Sequence, residues 1–186
     1  NNSNKLITAT SGNIRLWDLI NNDTIRLTGH SGFIWQVKVD KEDKKIISIS
    51  SGITFIWNTE GKKLQEIQNA EGSKFLGEGK YIATLSIDSS LYFWKLKDKP
   101  DSIYYEQFKK IKLPGTAITS VEFSPDNRLF LTTSEDSTLL LWKFKDVKTL
   151  LEDKIKHIRS YKHTSGIGSS TFSTNSRYFL AAGSDN

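Results

Sequence analysis

Four tryptophans end similar apolar runs: IRLW at Trp17, TFIW at Trp57, LYFW at Trp94 and LLLW at Trp142. Their separations are 40, 37 and 48 residues. A recurring unit of this size constrains the fold more than any local propensity. Such a unit is one supersecondary motif that cannot bury its hydrophobic face alone, so copies must stack on one another. The longest interval holds LKDKPDSIYYEQFKKIKLPG, whose Lys/Asp/Pro stretch at 97–101 reads as a lengthened loop. The shortest holds SKFLGEGKYI, which reads as a clipped first strand meeting a Gly-rich turn.

Within one unit, VEFSPDNRLFLTTSEDSTLLLWKF reads as a strand to Phe123, a turn at 124–127, a strand over 128–134, a turn at 135–137 and a strand through Trp142. The turns use Pro, Asp, Asn and Ser, which set or tolerate tight backbone geometry. HIRSYK at 157–162 supplies an outer strand, and FSPDNRLF at 123–130 is echoed by FSTNSRYF at 172–179. A second element recurs in LTGHSGFIWQVKVD, residues 27–40, where Ile34, Val37 and Val39 are spaced by three and then two. Neither a strand nor a helix has that period. An alternating strand carrying one extra residue, a β-bulge, does. Ile118, Val121 and Phe123 repeat the offsets, as do Ile167, Ser170 and Phe172, while His30 and His163 each stand four residues before an isoleucine. The bulge assigns Ile34, Val37 and Val39 to the core and leaves Phe33 and Trp35 outside that apolar set.

With 37% apolar and 25% charged residues among 186, the composition is that of an ordinary globular chain. No run of about 18 apolar residues is present, so no membrane partner is expected. NNSNKLITAT lacks the basic and apolar regions of a signal peptide. The absence of cysteine removes disulfides and thiolate metal sites and fits a reducing compartment, so the expected location is cytoplasmic. The net charge of +5 points to an anionic partner only if the basic residues cluster. They crowd most in 143–163, where acidic residues interrupt them and Leu151, Ile155 and Ile158 could form a short helical turn near 147–155. A solvated outer edge accounts for that segment better than nucleic-acid binding does.

Gly29-His30, the FSPDN turn from Phe123, Ser86-x-Asp88, Ser134-x-Asp136 and Leu16-Trp17-Asp18 with its successors resemble the WD40 family of β-propellers across essentially the whole chain. Only Trp17 is followed by Asp, so the repeats are diverged. The resemblance implies an all-β fold, an arc of antiparallel four-stranded blades about four blades' worth in extent, belonging to a seven- or eight-bladed ring. The units expected are a partial blade at 1–31, blades at 32–70, 71–112 and 113–162, and a partial blade at 163–186, seventeen strands together. The rest of the ring is expected in sequence beyond 1–186, with self-association or an open edge as the alternatives.

His30, Ser48, Asp88, Asp136 and His163 together invite a Ser/His/Asp catalytic reading. The resemblance implies instead a buried hydrogen-bond relay of His, Ser/Thr, Asp and Trp that ties blade parts together, with His30, Ser48, Trp57, Asp88, Trp94, Asp136, Trp142 and His163 as candidates. No nucleophile elbow or oxyanion-hole motif accompanies them. The three histidines lie apart without paired-ligand spacing, and GEGK at 77–80 lacks the phosphate-loop pattern, so neither metal nor cofactor is expected. A non-catalytic scaffold that binds a protein or peptide is the leading function. A regulatory propeller attached to an enzymatic domain is the alternative, and nucleic-acid binding a lesser one. Partner contacts are expected at Phe33 and Trp35, bordered by Ile87 and Glu135. Packing of Trp35 between blades is the competing role.

Overall fold

The computed structural model describes residues 4–99, 102–115, 117–144 and 155–184. These form seventeen strands and no helix. Strands β1 (Lys5–Thr10), β2 (Asn13–Asp18) and β3 (Asp23–Thr28) make the first sheet, in the order β1-β2-β3. The second sheet runs β4 (Ile34–Val39), β5 (Lys45–Ser50), β6 (Ile53–Asn58) and β7 (Lys63–Gln68), each strand pairing with the next. The third comprises β8 (Ala70–Leu76), β9 (Tyr81–Ser86), β10 (Ser90–Lys99) and β11 (Ser102–Lys112), again in sequence order. The fourth comprises β12 (Ile118–Phe123), β13 (Leu129–Ser134), β14 (Thr138–Lys143) and β15 (Lys156–Lys162), and the last pairs β16 (Ile167–Phe172) with β17 (Phe179–Gly183). The first, second, fourth and last sheets pair antiparallel throughout. The repeat thus builds sequential four-stranded sheets of the kind found in propeller blades. The helical turn anticipated near 147–155 falls almost entirely outside the described residues.

The bulge recurs as the spacing predicts. Ile34 pairs with Ser50 and Gln36 with Ile49, so Trp35 is the extra residue. Thr119 and Gly168 hold the same place in β12 and β16, between Ile118 and Ser120 and between Ile167 and Ser169. The turns after β12 and β16 are also copies. Ser124 Oγ lies 2.6 Å from Asp126 Oδ1 and accepts the Leu129 N–H at 2.9 Å, while Ser173 Oγ lies 2.8 Å from Asn175 Oδ1 and accepts the Tyr178 N–H at 3.0 Å.

Three expectations about spacing and burial are corrected. The short interval arises because β7 and β8 are joined by Asn69 alone, with φ of 57°, and β8 itself is a full seven residues. The long interval arises from extended strands: β10 has ten residues and β11 eleven, so 97–99 are strand rather than loop. Lys97 pairs with Glu106 at 3.0 Å and Lys99 lies over the Tyr104 ring, cross-strand contacts that favour pairing of this charged stretch. Val39 is 41% exposed, not core. It faces the same way as Ile46 but sits at the open end of the apolar layer, lining a cavity of about 250 Å³ with Ile7 and Leu16.

The chain divides into two compact units, residues 1–84 with 95–106 and residues 85–94 with 107–186. In the first, Ile14, Leu16 and Leu27 of the first sheet pack on Ile34, Ile46, Phe55 and Trp57 of the second. In the second, Leu131 and Leu139 pack on Ile167, flanked by Phe172 and Phe179. Each such fully buried side chain contributes about 1.5–3 kcal/mol through removal of apolar surface from water.

Candidate functional site

Ser48, on β5, is fully buried, and its Oγ lies 2.8 Å from His30 Nε2. The same oxygen accepts the Trp57 Nε1–H at 2.8 Å. The His30 ring stacks on Phe55 at 4.2 Å, and Phe55 meets Trp57 edge-on. His30, Ser48 and Trp57 therefore form one connected group linking the segment before β4 to β5 and β6. No carboxylate orients the imidazole through a hydrogen bond, and a hydroxyl with no solvent exposure meets no substrate, so the geometry is that of a structural tie.

Burial holds the His30 imidazole below its ordinary pKa, reinforced by the Lys63 charge and opposed by the Ser48 hydrogen bond and Glu66. With a depressed folded-state pKa, the unfolded chain takes up the proton first. Stability is then complete above the unfolded value of 6.5 and is lost as pH falls from there towards the folded value. The unaltered protein is expected to lose more stability than His30→Gln between about pH 7 and about pH 5. Denaturant titrations across that range check this, and parallel pH profiles for the two proteins would remove His30 from the balance.

Two further members of this pattern escaped the sequence reading. Trp17 Nε1 donates to Thr8 Oγ1 at 2.9 Å, and Trp142 Nε1 donates to Thr132 Oγ1 at 3.0 Å. The hydroxyl stands nine residues before Trp17, nine before Trp57 and ten before Trp142, a spacing visible in the sequence. Each indole N–H thus has a partner on the preceding strand, as a partly or fully buried donor requires.

Asp88 and Asp136 depart from the relay. Both are exposed. Asp88 Oδ1 accepts the Ser90 N–H at 3.0 Å, and Asp136 Oδ1 accepts the Thr138 N–H at 2.9 Å. The Thr138 contacts hold the Asp136 carboxyl below its usual pKa. Pro114 stands four residues before Ile118, as His30 stands before Ile34, and the Trp94 repeat has no histidine either. With no imidazole reaching in, the carboxylates stay at their turns and cap local N–H groups. Outer-strand lysines complete these turns: Lys112 Nζ donates to the Asp88 carbonyl, and Lys162 Nζ to the Asp136 carbonyl at 2.9 Å. Trp94 and His163 are half-buried, less enclosed than Trp57 and Trp142.

Among the contact candidates, Phe33 is 65% exposed and Trp35 53%, with Ile34 between them 5% exposed. Their neighbourhood on the first unit is made of turns: the Gly12 N–H bonds the Gly32 carbonyl at 2.9 Å, and the Ala70 N–H bonds the Gly52 carbonyl at 2.8 Å. On the second unit, Ile87 is 71% exposed at the turn after β9, and Glu135 is exposed at the turn after β13, its N–H bonded to the Ala117 carbonyl at 3.2 Å. Among the described residues, no group of His, Asp and Glu is arranged to hold a metal ion, and no helix is long and apolar enough to cross a membrane.

Residues 108–143 match the family described as WD domain, G-beta repeat. The match takes in the end of β11 and all of β12, β13 and β14. A search of curated proteins finds no match. WD40 repeats generally mediate protein–protein interactions and are typically non-catalytic. Residues 108–143 thus match a WD40 repeat, and they lie among sheets of similar construction, which is consistent with the WD40-repeat family.

Proposed function

We propose that the chain is a non-catalytic scaffold that binds a protein or peptide partner through the turn-rich surface around Phe33 and Trp35. One observation carries this reading: the bulge turns Trp35 and its neighbour Phe33 to solvent while the core closes on Ile34. Two large aromatics flanking Ile34 at the start of a strand bring much contact area at little conformational cost. The matching positions elsewhere are Ala117 and Thr119, and Gly166 and Gly168, so no other repeat presents such a pair. The cysteine-free composition suits action in the cytoplasm.

The test uses peptides selected from a displayed library against the unaltered protein. Trp35→Ala is expected to weaken them by about thirtyfold or more, the loss typical of a hot-spot residue, while the melting temperature stays unchanged. Retained affinity with a large drop in melting temperature would show instead that Trp35 serves packing.

A further inference from the structure

His30 is held by three strands of the second sheet. Its Nε2 lies 2.8 Å from Ser48 Oγ of β5, its ring stacks on Phe55 of β6 at 4.2 Å, and Lys63 of β7 places its ammonium 4.3 Å from the centre of that same Phe55 ring. The imidazole covers one face of the phenyl ring, so the ammonium lies over the other. Glu66, the acidic group on β7, is engaged by Lys63 and Gln68. From the first sheet, the main chain of Gly12 packs against the His30 carbonyl.

The hydrogen bonds fix which ring nitrogen carries the hydrogen. Ser48 Oγ is fully buried and accepts the Trp57 Nε1–H, so its own hydrogen needs an acceptor, and His30 Nε2 is the one within reach. The neutral ring therefore carries its hydrogen on Nδ1 and its lone pair on Nε2. A proton taken up from solvent goes to Nε2. Ser48 Oγ must then accept two N–H groups, from Trp57 and His30, and its hydroxyl hydrogen is left in the core without an acceptor, which is costly for a group sealed from water. The new charge also lies across one phenyl ring from the Lys63 ammonium.

The tie anchors the short segment that leads into β4. Gly29, with φ of 144°, rests on the Phe55 and Trp57 rings, and two residues past His30 the Gly32 carbonyl accepts the Gly12 N–H at 2.9 Å. Phe33 follows at once. Trp35 is placed differently, because its neighbours Ile34 and Gln36 are paired with Ser50 and Ile49 of β5. We propose that His30 is a pH switch for the contact surface: a proton at Nε2 breaks the tie to Ser48, frees residues 29–33 and withdraws Phe33 from the partner, while Trp35 stays in place. This rests on the reading of Phe33 and Trp35 as the contact pair. The sign follows from the site. Burial, then the Lys63 charge, hold the tied imidazole below its ordinary 6.5, whereas in the freed segment it returns towards that value, so the freed state gains population as pH falls below 6.5.

The experiment has two arms. In the first, peptides are selected from a displayed library lacking His, Asp and Glu, so that the peptide has no side chain titrating in the range, and their affinity for the unaltered chain is measured at about pH 7.5 and about pH 5. Affinity is expected to fall about tenfold on acidification, within the usual range for linked equilibria. His30→Gln, whose amide takes up no proton, is expected to bind equally at both. In the second arm, amide hydrogen exchange at 29–33 is followed without peptide and expressed as protection relative to the unstructured rate. Protection is expected to drop at the lower pH in the unaltered protein and to hold in His30→Gln. Unchanged protection in the unaltered protein overturns the proposal whether or not any peptide binds. So does Trp35-dependent binding that is equal at the two pH values, and so does an equal fall in His30→Gln, which assigns the effect to another group. Protection that drops as expected while Trp35→Ala leaves neutral-pH binding intact supports the release of 29–33 and places the failure in the contact reading.

Discussion

Asp40→Ala is expected to destabilise the protein by about 3–5 kcal/mol, the range for removing one partner of a buried ion pair. The Asp40 side chain is fully buried and Lys45, 11% exposed, places Nζ 3.0 Å from Oδ2. The other carboxylate oxygen accepts the Lys44 and Lys45 N–H groups at 2.8 and 3.0 Å, closing the turn between β4 and β5. The third sheet adds to this enclosure. Tyr105 donates its hydroxyl to the Gly79 carbonyl at 2.6 Å, and burial, with the Asp40 charge behind it, pushes that phenol above its usual pKa. Alanine leaves an ammonium group and two N–H groups without their acceptor. Asp40→Asn keeps an oxygen for the N–H groups and should lose less. Urea denaturation of the two variants measures the difference, and a loss below about 1 kcal/mol for alanine would mean that Lys45 escapes to water at no cost.

The same residue marks where the sequence stops being legible. Apolar offsets place Val39 inside and do not single out Asp40, yet Val39 is 41% exposed and Asp40 only 3%. Periodicity reports which way a side chain points, not whether another element covers it. The apolar layer ends short of Val39, and what covers Asp40 comes from β8–β9 and β11, residues 39 and 65 positions further along the chain. Where a contact is local the reading is sound. The bulges before Gln36, Ser120 and Ser169 follow from spacing within six residues. The turn geometry shared by 124–129 and 173–178 follows from matching octapeptides.

For the candidate site the division is similar. Exposure of Phe33 and Trp35 is written in their parity about the bulge. The indole partners Thr8 and Thr132 were equally available as a hydroxyl nine or ten residues before each tryptophan, but family resemblance drew attention to aspartates instead. Those aspartates belong to a relay only when a histidine reaches them. Without it, a short carboxylate next to free turn N–H groups caps them.

Phe130→Ala is expected to cost about 3–5 kcal/mol, the range for truncating a buried aromatic. Phe130 is fully buried and lies face to face with Trp142, centroids 5.3 Å apart and planes 3° from parallel. Phe123 lies 5.2 Å and Phe144 5.9 Å from it, so four rings of β12, β13 and the β14 end share one layer. Truncation opens a cavity that three flat, mutually braced rings cannot collapse to fill, because each is held by the others and Trp142 is tethered to Thr132. Phe130→Leu keeps most of the volume and should cost less. For a chain of this size the alanine variant should melt roughly 6–20 °C lower. Tryptophan fluorescence follows the transition, since the buried Trp142 is exposed to water on unfolding. The informative comparison is Phe33→Ala, which removes the same ring from a solvent-facing site and should leave the melting temperature unchanged. Comparable losses at the two positions would mean that exposure of Phe33 does not describe the protein in solution, and the proposed contact surface would lose its basis.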